Sequence, residues 1–353
     1  VMMLLKKSVA LAFILAGAIV GCSENVIEPE QSNDVVNFTV SVGVSKGTHI
    51  PDAAKKAYTR AYEDNLPSEL MHTLRFIIVR PNGTVEHNRF YDFTKNTPIA
   101  LYEQAFKVVS GETKKVYLIA NEGAVKAGNA KVVNYDFNEI LPGKAFPAKE
   151  YNNLLITLNS NNEELHTPLV MSECRTVNVP ANRDLTAEMF IVRAASKFTF
   201  TIKNNSSDVY NITKLTMDKM ARKEYFLPRS TTGETQYDKA TGELIDYVVP
   251  TVGNNEYYTF EKSLSYSVQQ NQTVTIPSFY LLEGRYTDSA NAKNYKMSLT
   301  MNGTVFSEYF PNLKDLPRNV HVVVNVSISQ KSVVWSTSIH PYNAVELRPG
   351  LGF

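Results

Sequence analysis

The hydrophobic and polar positions of the chain alternate in short runs, and almost no segment shows a sustained period of 3.6 residues. The clearest run, VNFTVSV at 36–42, predicts an extended strand, because successive side chains of a strand point to opposite faces. The apolar face of this predicted strand consists of Val36, Phe38, Val40 and Val42.

Similar short runs recur to the end of the chain. Turn residues at Pro81-Asn82-Gly83 and at Asn302-Gly303 predict two hairpins, the second with a type I′ turn. Residues 46–65 are polar and rich in basic residues, with at most a short helix near 53–62. Further strands are predicted at 74–79, 84–91, 115–120, 154–158, 187–192, 197–203, 212–217, 257–260, 274–276, 279–282, 296–301, 304–310, 320–328, 333–339 and 344–347.

Short strands at frequent intervals, separated by turn residues, favour a predominantly all-β fold. The length of 353 residues suits two domains, so we predict two β-sandwich or Greek-key domains in tandem, with few short helices. We place the boundary near residue 193, which gives an N-terminal domain of residues 35–193 and a C-terminal domain of residues 194–353.

Residues 1–21 have the pattern of a secretory signal peptide: Lys6 and Lys7, an apolar run at 9–20, and small residues before Cys22. The apolar run is shorter than the roughly 20 residues that a helix needs to cross a bilayer. Ile19-Val20-Gly21-Cys22 resembles a bacterial lipobox, which implies that Cys22 is acylated and anchors the protein in the outer membrane. An ordinary signal peptide with a chance cysteine is the alternative. If Cys22 is acylated, the polar residues 22–34 would form a tether between the lipid and the folded body.

Charge and composition remove several functional classes. Lys and Arg (36) nearly balance Asp and Glu (35), so no basic field favours nucleic acid. The six histidines have no metal-binding spacing, and no nucleophile elbow, phosphate-binding loop or Rossmann glycine pattern occurs. We therefore expect a protein that is not an enzyme and that uses no cofactor or metal.

Four stretches together resemble the fimbrillin family, the lipoprotein-derived subunits of the type V pili of Bacteroides-group anaerobes. They cover most of the chain, although each is weakly specific alone. The stretches are the lipobox with its following strand and Thr59-Arg60-Ala61, GETKKVYLIAN at 111–121, PLVMS at 168–172 with FIVRAASK at 190–197, and FYLLE at 279–283 with LPRN at 316–319.

The resemblance implies assembly by strand exchange. In fimbrillins an N-terminal strand fills a groove until an extracellular Arg-specific protease cuts behind it, and the C-terminal segment of a neighbouring subunit then replaces it. Here 35–60 would hold the removable blocking strand and the cleavage linker, with Val36, Phe38, Val40 and Val42 filling the groove. Burying four such side chains contributes about 6 to 12 kcal/mol before the cost of ordering the strand.

Arg60 is the preferred cleavage position, because it lies between two predicted strands in the Thr-Arg context of the family. A merely solvated Arg60 is the alternative, and Lys46, Lys55 and Lys56 could serve other proteases. Residues 332–353 would form the donor tail, or else complete their own domain. The candidate donor side chains are Val333, Trp335, Ile339, Val345 and Leu347.

The resemblance therefore implies a structural subunit of a cell-surface fimbria that partners other fimbrial subunits and contributes to adhesion. Its place as stalk, tip or anchor stays open. The alternative is a monomeric surface lipoprotein that binds glycans through aromatic clusters, at 257–260 and around Tyr280 and Tyr286. Aromatic residues in strands are more often core residues than sugar platforms, which disfavours this alternative.

Overall fold

The computed structural model describes residues 34–49, 66–240, 242–253, 256–285, 295–310 and 315–341. In these ranges strands dominate, which confirms the predicted all-β fold. Helical segments are short: 3₁₀ turns at Pro67–Glu69, Ala127–Asn129 and Phe137–Glu139, and the α-helix α1 at Ala148–Asn152. None of the described helices is long and apolar enough to span a membrane.

Nine strands come from the first part of the chain. They are β1 (Val35–Val44), β2 (Gly47–Thr48), β3 (Thr73–Val79), β4 (Val85–Asp92), β5 (Leu101–Val109), β6 (Thr113–Ala120), β7 (Leu155–Thr157), β8 (Met171–Asn178) and β9 (Leu185–Arg193). Seven of them form one sheet in the order β4-β3-β6-β8-β9-β1-β5.

The two edges of this sheet, β4 and β5, contact each other through side chains. The imidazole Nε2 of His87 lies 2.7 Å from the carbonyl oxygen of Lys107, and the backbone N–H of Val109 donates to Glu86 Oε1 over 2.7 Å. The apolar faces of β1, β3, β5, β6 and β9 meet in one core cluster, because alternate side chains of each strand point to the same side.

The remaining strands come from the second part of the chain. They are β10 (Ser196–Asn204), β11 (Tyr210–Ala221), β12 (Lys223–Tyr225), β13 (Gln236–Tyr237), β14 (Glu243–Asp246), β15 (Tyr257–Val268), β16 (Thr273–Leu281), β17 (Gly284–Arg285), β18 (Lys296–Met301), β19 (Thr304–Tyr309), β20 (Asp315–Leu316), β21 (Val320–Ile328) and β22 (Val333–Pro341).

Two four-stranded sheets, β16-β10-β21-β22 and β15-β11-β18-β19, share a second core cluster. Stacked aromatic rings join the sheets: Phe279 lies 5.5 Å from Phe198 and 5.2 Å from Phe260 between ring centroids. Short pairs connect the two parts of the chain, since β7 pairs with β12 and β2 pairs with β14. The strands of the first part end with β9 at Arg193, and those of the second part begin with β10 at Ser196. The division into two domains stays a prediction.

Several predicted elements match the structure and others do not. The hairpin at Asn302-Gly303 is confirmed, with both residues at positive φ (49° and 79°), as a type I′ turn requires. The separate strands predicted at 274–276 and 279–282 are wrong: β16 is continuous, with a register irregularity where it faces β10. The strand predicted at 344–347 and the helix predicted near 53–62 lie outside the described residues.

Candidate functional site

The first strand, β1, lies inside the seven-stranded sheet rather than at its edge. It pairs antiparallel with β5, from Val35 opposite Val109 to Gly43 opposite Leu101, and parallel with β9, from Phe38 opposite Leu185 to Val44 opposite Ile191. Both rows of its backbone hydrogen-bonding groups therefore face neighbouring strands. Removing β1 would leave β5 without its only ladder neighbour among the described strands.

The predicted apolar face of β1 is buried. Val36 keeps 6% of its surface exposed, and the other three side chains keep none. They pack in the cluster that includes the apolar faces of β3 and β6. If β1 were absent, an apolar cleft would remain, lined by Leu74, Phe76, Ile78, Phe106, Val108, Val116, Leu118 and Ile191.

The residues after β1 are held by polar contacts of side chains. Ser45 has no exposed surface: its hydroxyl donates to the carbonyl oxygen of Gly242 (2.9 Å) and accepts from Asn319 Nδ2 (3.1 Å). Arg193 Nη1 donates to the backbone carbonyl of Ser45 and to Asn319 Oδ1, both over 3.1 Å. The Thr48 hydroxyl donates to the carbonyl of Arg318 over 2.7 Å. We call Arg193, Gly242, Arg318 and Asn319 the polar socket.

Buried charges fix the position of the socket residue Arg318. Its guanidinium donates to Glu283 Oε1 from Nε (3.0 Å) and Nη2 (2.6 Å), and neither side chain is more than 1% exposed. Glu224 lies 3.8 Å from the same guanidinium, and burial raises the pKa of the Glu224 carboxyl well above its ordinary value. Burial raises the pKa of the Glu283 carboxyl as well, and Arg318 is held to Glu283 by these two short hydrogen bonds.

A second buried pair lies beside Arg193. Lys197 Nζ lies 2.9 Å from Glu69 Oε1, which also accepts a 2.7 Å hydrogen bond from the Tyr280 hydroxyl. Arg193 Nε donates to the backbone carbonyl of Glu69 over 3.1 Å. Residues of the stretches 190–197, 279–283 and 316–319 therefore meet in one buried polar region, which the sequence alone did not show.

Only the first part of the predicted donor tail, up to residue 341, lies within the described residues. The segment 333–341 forms β22, which pairs antiparallel with β21 at the edge of its own sheet. Ile339 is 6% exposed, whereas Val333 and Trp335 are partly buried. Val345 and Leu347 lie outside the described residues, as do Cys22 and Arg60.

Most of the aromatic residues of the alternative glycan-binding face that the structure describes lie in the core. Tyr258, Phe260 and Tyr280 are each at most 6% exposed. Tyr257 is partly buried, and its hydroxyl donates to the backbone carbonyl of Arg285. Tyr286 lies outside the described residues. The described members of these clusters present no stacked aromatic face to solvent.

Sequence reasoning missed β5, the strand that pairs with β1 along most of its length. Its alternation LYEQAFKVV places Phe106 and Val108 inward, which could have revealed it. It also missed Ser45 and Thr48. An isolated hydroxyl residue in a polar stretch gives no signal of burial, because its partners come from distant parts of the chain.

Comparisons with known proteins agree with this fold. The sequence matches no protein-family model and no curated protein. The structure is similar to the tip fimbrial protein Mfa3 of Porphyromonas gingivalis (12% identity, 88% of this chain, 100% of that chain, TM-score 0.52). It is also similar to the fimbrilin FimA of the same species (12%, 88%, 99%, 0.51) and to a candidate cell adhesion protein of Parabacteroides distasonis (11%, 89%, 99%, 0.54). The chain therefore has a fimbrillin-like fold.

Proposed function

We propose that the chain is a structural subunit of a cell-surface fimbria and that it assembles when a strand from a neighbouring subunit replaces β1. The observation that carries this proposal is the central place of β1: it fills an apolar cleft and pairs on both sides. A strand in this position can be exchanged for any extended segment with suitable alternating side chains. The fold shared with Mfa3 and FimA supports the same role.

Removal of β1 requires a covalent trigger. Four buried apolar side chains and two ladders hold the strand, so spontaneous loss from the uncut chain is negligible. Cleavage after Arg60 would separate β1 from the rest of the chain, which would then begin at Ala61, and would also release that part from lipid on Cys22. The subunit would begin as an outer-membrane lipoprotein precursor and end in the fibre, where it contributes to adhesion without enzymatic activity.

Treatment of the purified chain with an Arg-specific protease tests this proposal. We expect a ladder of detergent-resistant oligomers on a gel after cleavage, from the chain alone or together with other fimbrial subunits, and only monomers before it. Arg60→Ala should abolish the ladder, whereas the matched control Lys55→Ala/Lys56→Ala should leave it unchanged. Monomers that persist after complete cleavage at Arg60, also when mixed with other fimbrial subunits, would refute assembly by strand exchange.

A further inference from the structure

The residues that follow β1 contact their surroundings differently from β1 itself. Within β1 the hydrogen bonds to β5 and β9 come from the backbone, and any strand would supply them. Ser45 and Thr48 contact the polar socket in two ways. The Ser45 carbonyl accepts from Arg193 and the Thr48 N–H donates to the Asn319 carbonyl, which any strand could do, whereas the contacts with the Gly242 carbonyl, the Arg318 carbonyl and Asn319 Nδ2 use the two hydroxyl groups. A strand without hydroxyl groups at these two positions cannot make the second set of contacts.

We propose that the polar socket selects the strand that fills the cleft, and that it accepts an alternating apolar stretch followed by Ser or Thr at the positions of Ser45 and Thr48. This inference rests on the proposed function, since it concerns the strand that replaces β1. The apolar cleft packs against the alternate apolar side chains of the incoming strand, and the socket forms hydrogen bonds with the two hydroxyl groups that follow them.

The burial of the socket makes this selection strong. Asn319 and Arg318 have no exposed surface, and Thr48 is 4% exposed, so water does not readily replace a missing hydroxyl. Asn319 Oδ1 is fixed by Arg193, which turns Nδ2 toward the position of the Ser45 hydroxyl. An apolar side chain there would leave the Nδ2 donor of Asn319 facing a group that cannot accept.

The chain's own tail fits the socket poorly. The first strand-like piece of the tail contains Ser336, Thr337 and Ser338, but they precede its last apolar residue, Ile339. The residue that follows the last apolar position is His340 in this piece and Arg348, after Leu347, in the second. Residues 342–353 contain no Ser or Thr. An arginine placed against Arg193 would also bring two like charges together in a buried region. The socket therefore favours a strand from a different subunit over the tail of a second copy.

Competition between peptides tests the inference on the full chain after cleavage at Arg60. A fluorescent peptide of residues 34–49 is first incorporated into the cut protein, and unlabelled peptides then compete for the cleft. The competitors are the same peptide, its Ser45→Ala/Thr48→Val variant, its Thr39→Val variant as the matched control outside the socket, and a peptide of residues 333–353.

We expect the Ser45→Ala/Thr48→Val peptide to compete about 10- to 100-fold more weakly than the parent peptide, because buried polar partners lose their hydrogen bonds. The Thr39→Val peptide should stay within about twofold of the parent, since Thr39 points to the opposite face from Phe38 and Val40. The peptide 333–353 should compete more weakly than the parent. In protein carrying Asn319→Ala, the penalty for the double substitution should shrink.

Two results would overturn the inference, and only the second would also refute strand exchange. Equal competition by the parent and the double variant, or by the parent and the peptide 333–353, refutes selection by the socket but leaves strand exchange intact. Failure of the cut protein to incorporate the labelled parent peptide under any condition refutes strand exchange and the socket together.

Discussion

Replacement of Phe38 by alanine tests the energetic role of β1. Phe38 has no exposed surface and lies in the core cluster that also contains Phe76 and Phe106. Those two rings lie 5.3 Å apart between centroids, so the cluster is tightly packed and can close only partly around a smaller residue. Truncation of a buried phenylalanine typically costs about 3–5 kcal/mol. We expect Phe38→Ala to lower the free energy of unfolding of the uncut chain by that amount.

The same substitution should accelerate loss of the strand after cleavage. Each 1.4 kcal/mol corresponds to about tenfold in an equilibrium constant, so 3–5 kcal/mol weakens retention of the cut strand by about 10²- to 4 × 10³-fold. Urea unfolding followed by circular dichroism measures the first effect, and release of a labelled 34–60 fragment measures the second. Thr39→Ala is the control and should change stability by less than about 0.5 kcal/mol. If Phe38→Ala lowers the free energy of unfolding by less than about 1 kcal/mol, burial of β1 does not contribute substantially to stability and the reasoning is refuted.

Three further substitutions test other parts of the structure. Arg318→Met leaves the buried Glu283 without its cation and should cost about 3–5 kcal/mol in urea unfolding, whereas Arg285→Met, at an exposed ion pair, should cost less than about 1 kcal/mol. Burial raises the pKa of Glu173 to about 7, so the folded chain holds a proton there that the unfolded chain has lost above about pH 4.5. Stability should therefore fall by up to about 3 kcal/mol as the pH rises from 4.5 to 7 and then level off; Glu173→Gln should remove this component, and an unchanged slope would contradict the assignment. Gly303→Ala forces a side chain onto a φ of 79° and should lower stability by about 1–2 kcal/mol, while Gly253→Ala, where nothing lies within 4 Å of an added Cβ, should leave the melting temperature nearly unchanged.

The sequence predicted β1 within two residues at each end, because its apolar face is fully buried, whereas Asn37 and Thr39 on the other face are only half-buried. Its alternation is therefore a direct record of its environment. Strands whose faces contact both polar and apolar groups were harder to predict, and β8 was missed. β8 reads MSECRTVN: Ser172 and Glu173 are buried and Arg175 is half-buried, so its buried positions are not marked by alternating hydrophobic residues.

The polar socket could not be predicted from the sequence. A lone arginine or glutamate in a sequence is most often solvated, and pairs such as Lys197 with Glu69 form only because the fold brings distant segments together. The stretches that resemble fimbrillins did mark where Arg193, Arg318 and Asn319 lie. They did not indicate that these side chains are buried or that they contact the residues after β1.

The two ends of β1 differ in their access to water. Val35 keeps 55% of its surface exposed, whereas Val44 at the other end keeps 3% and the following Ser45 keeps none. Fraying therefore begins at the Val35 end, which continues in sequence toward the proposed lipid tether. Under the proposed function, a pull from the membrane that acts across the strand would start at its exposed end and open the ladder one residue pair at a time. Peeling in this direction needs far less force than shearing all pairs at once, so the membrane anchor itself would help to strip the strand from a departing subunit.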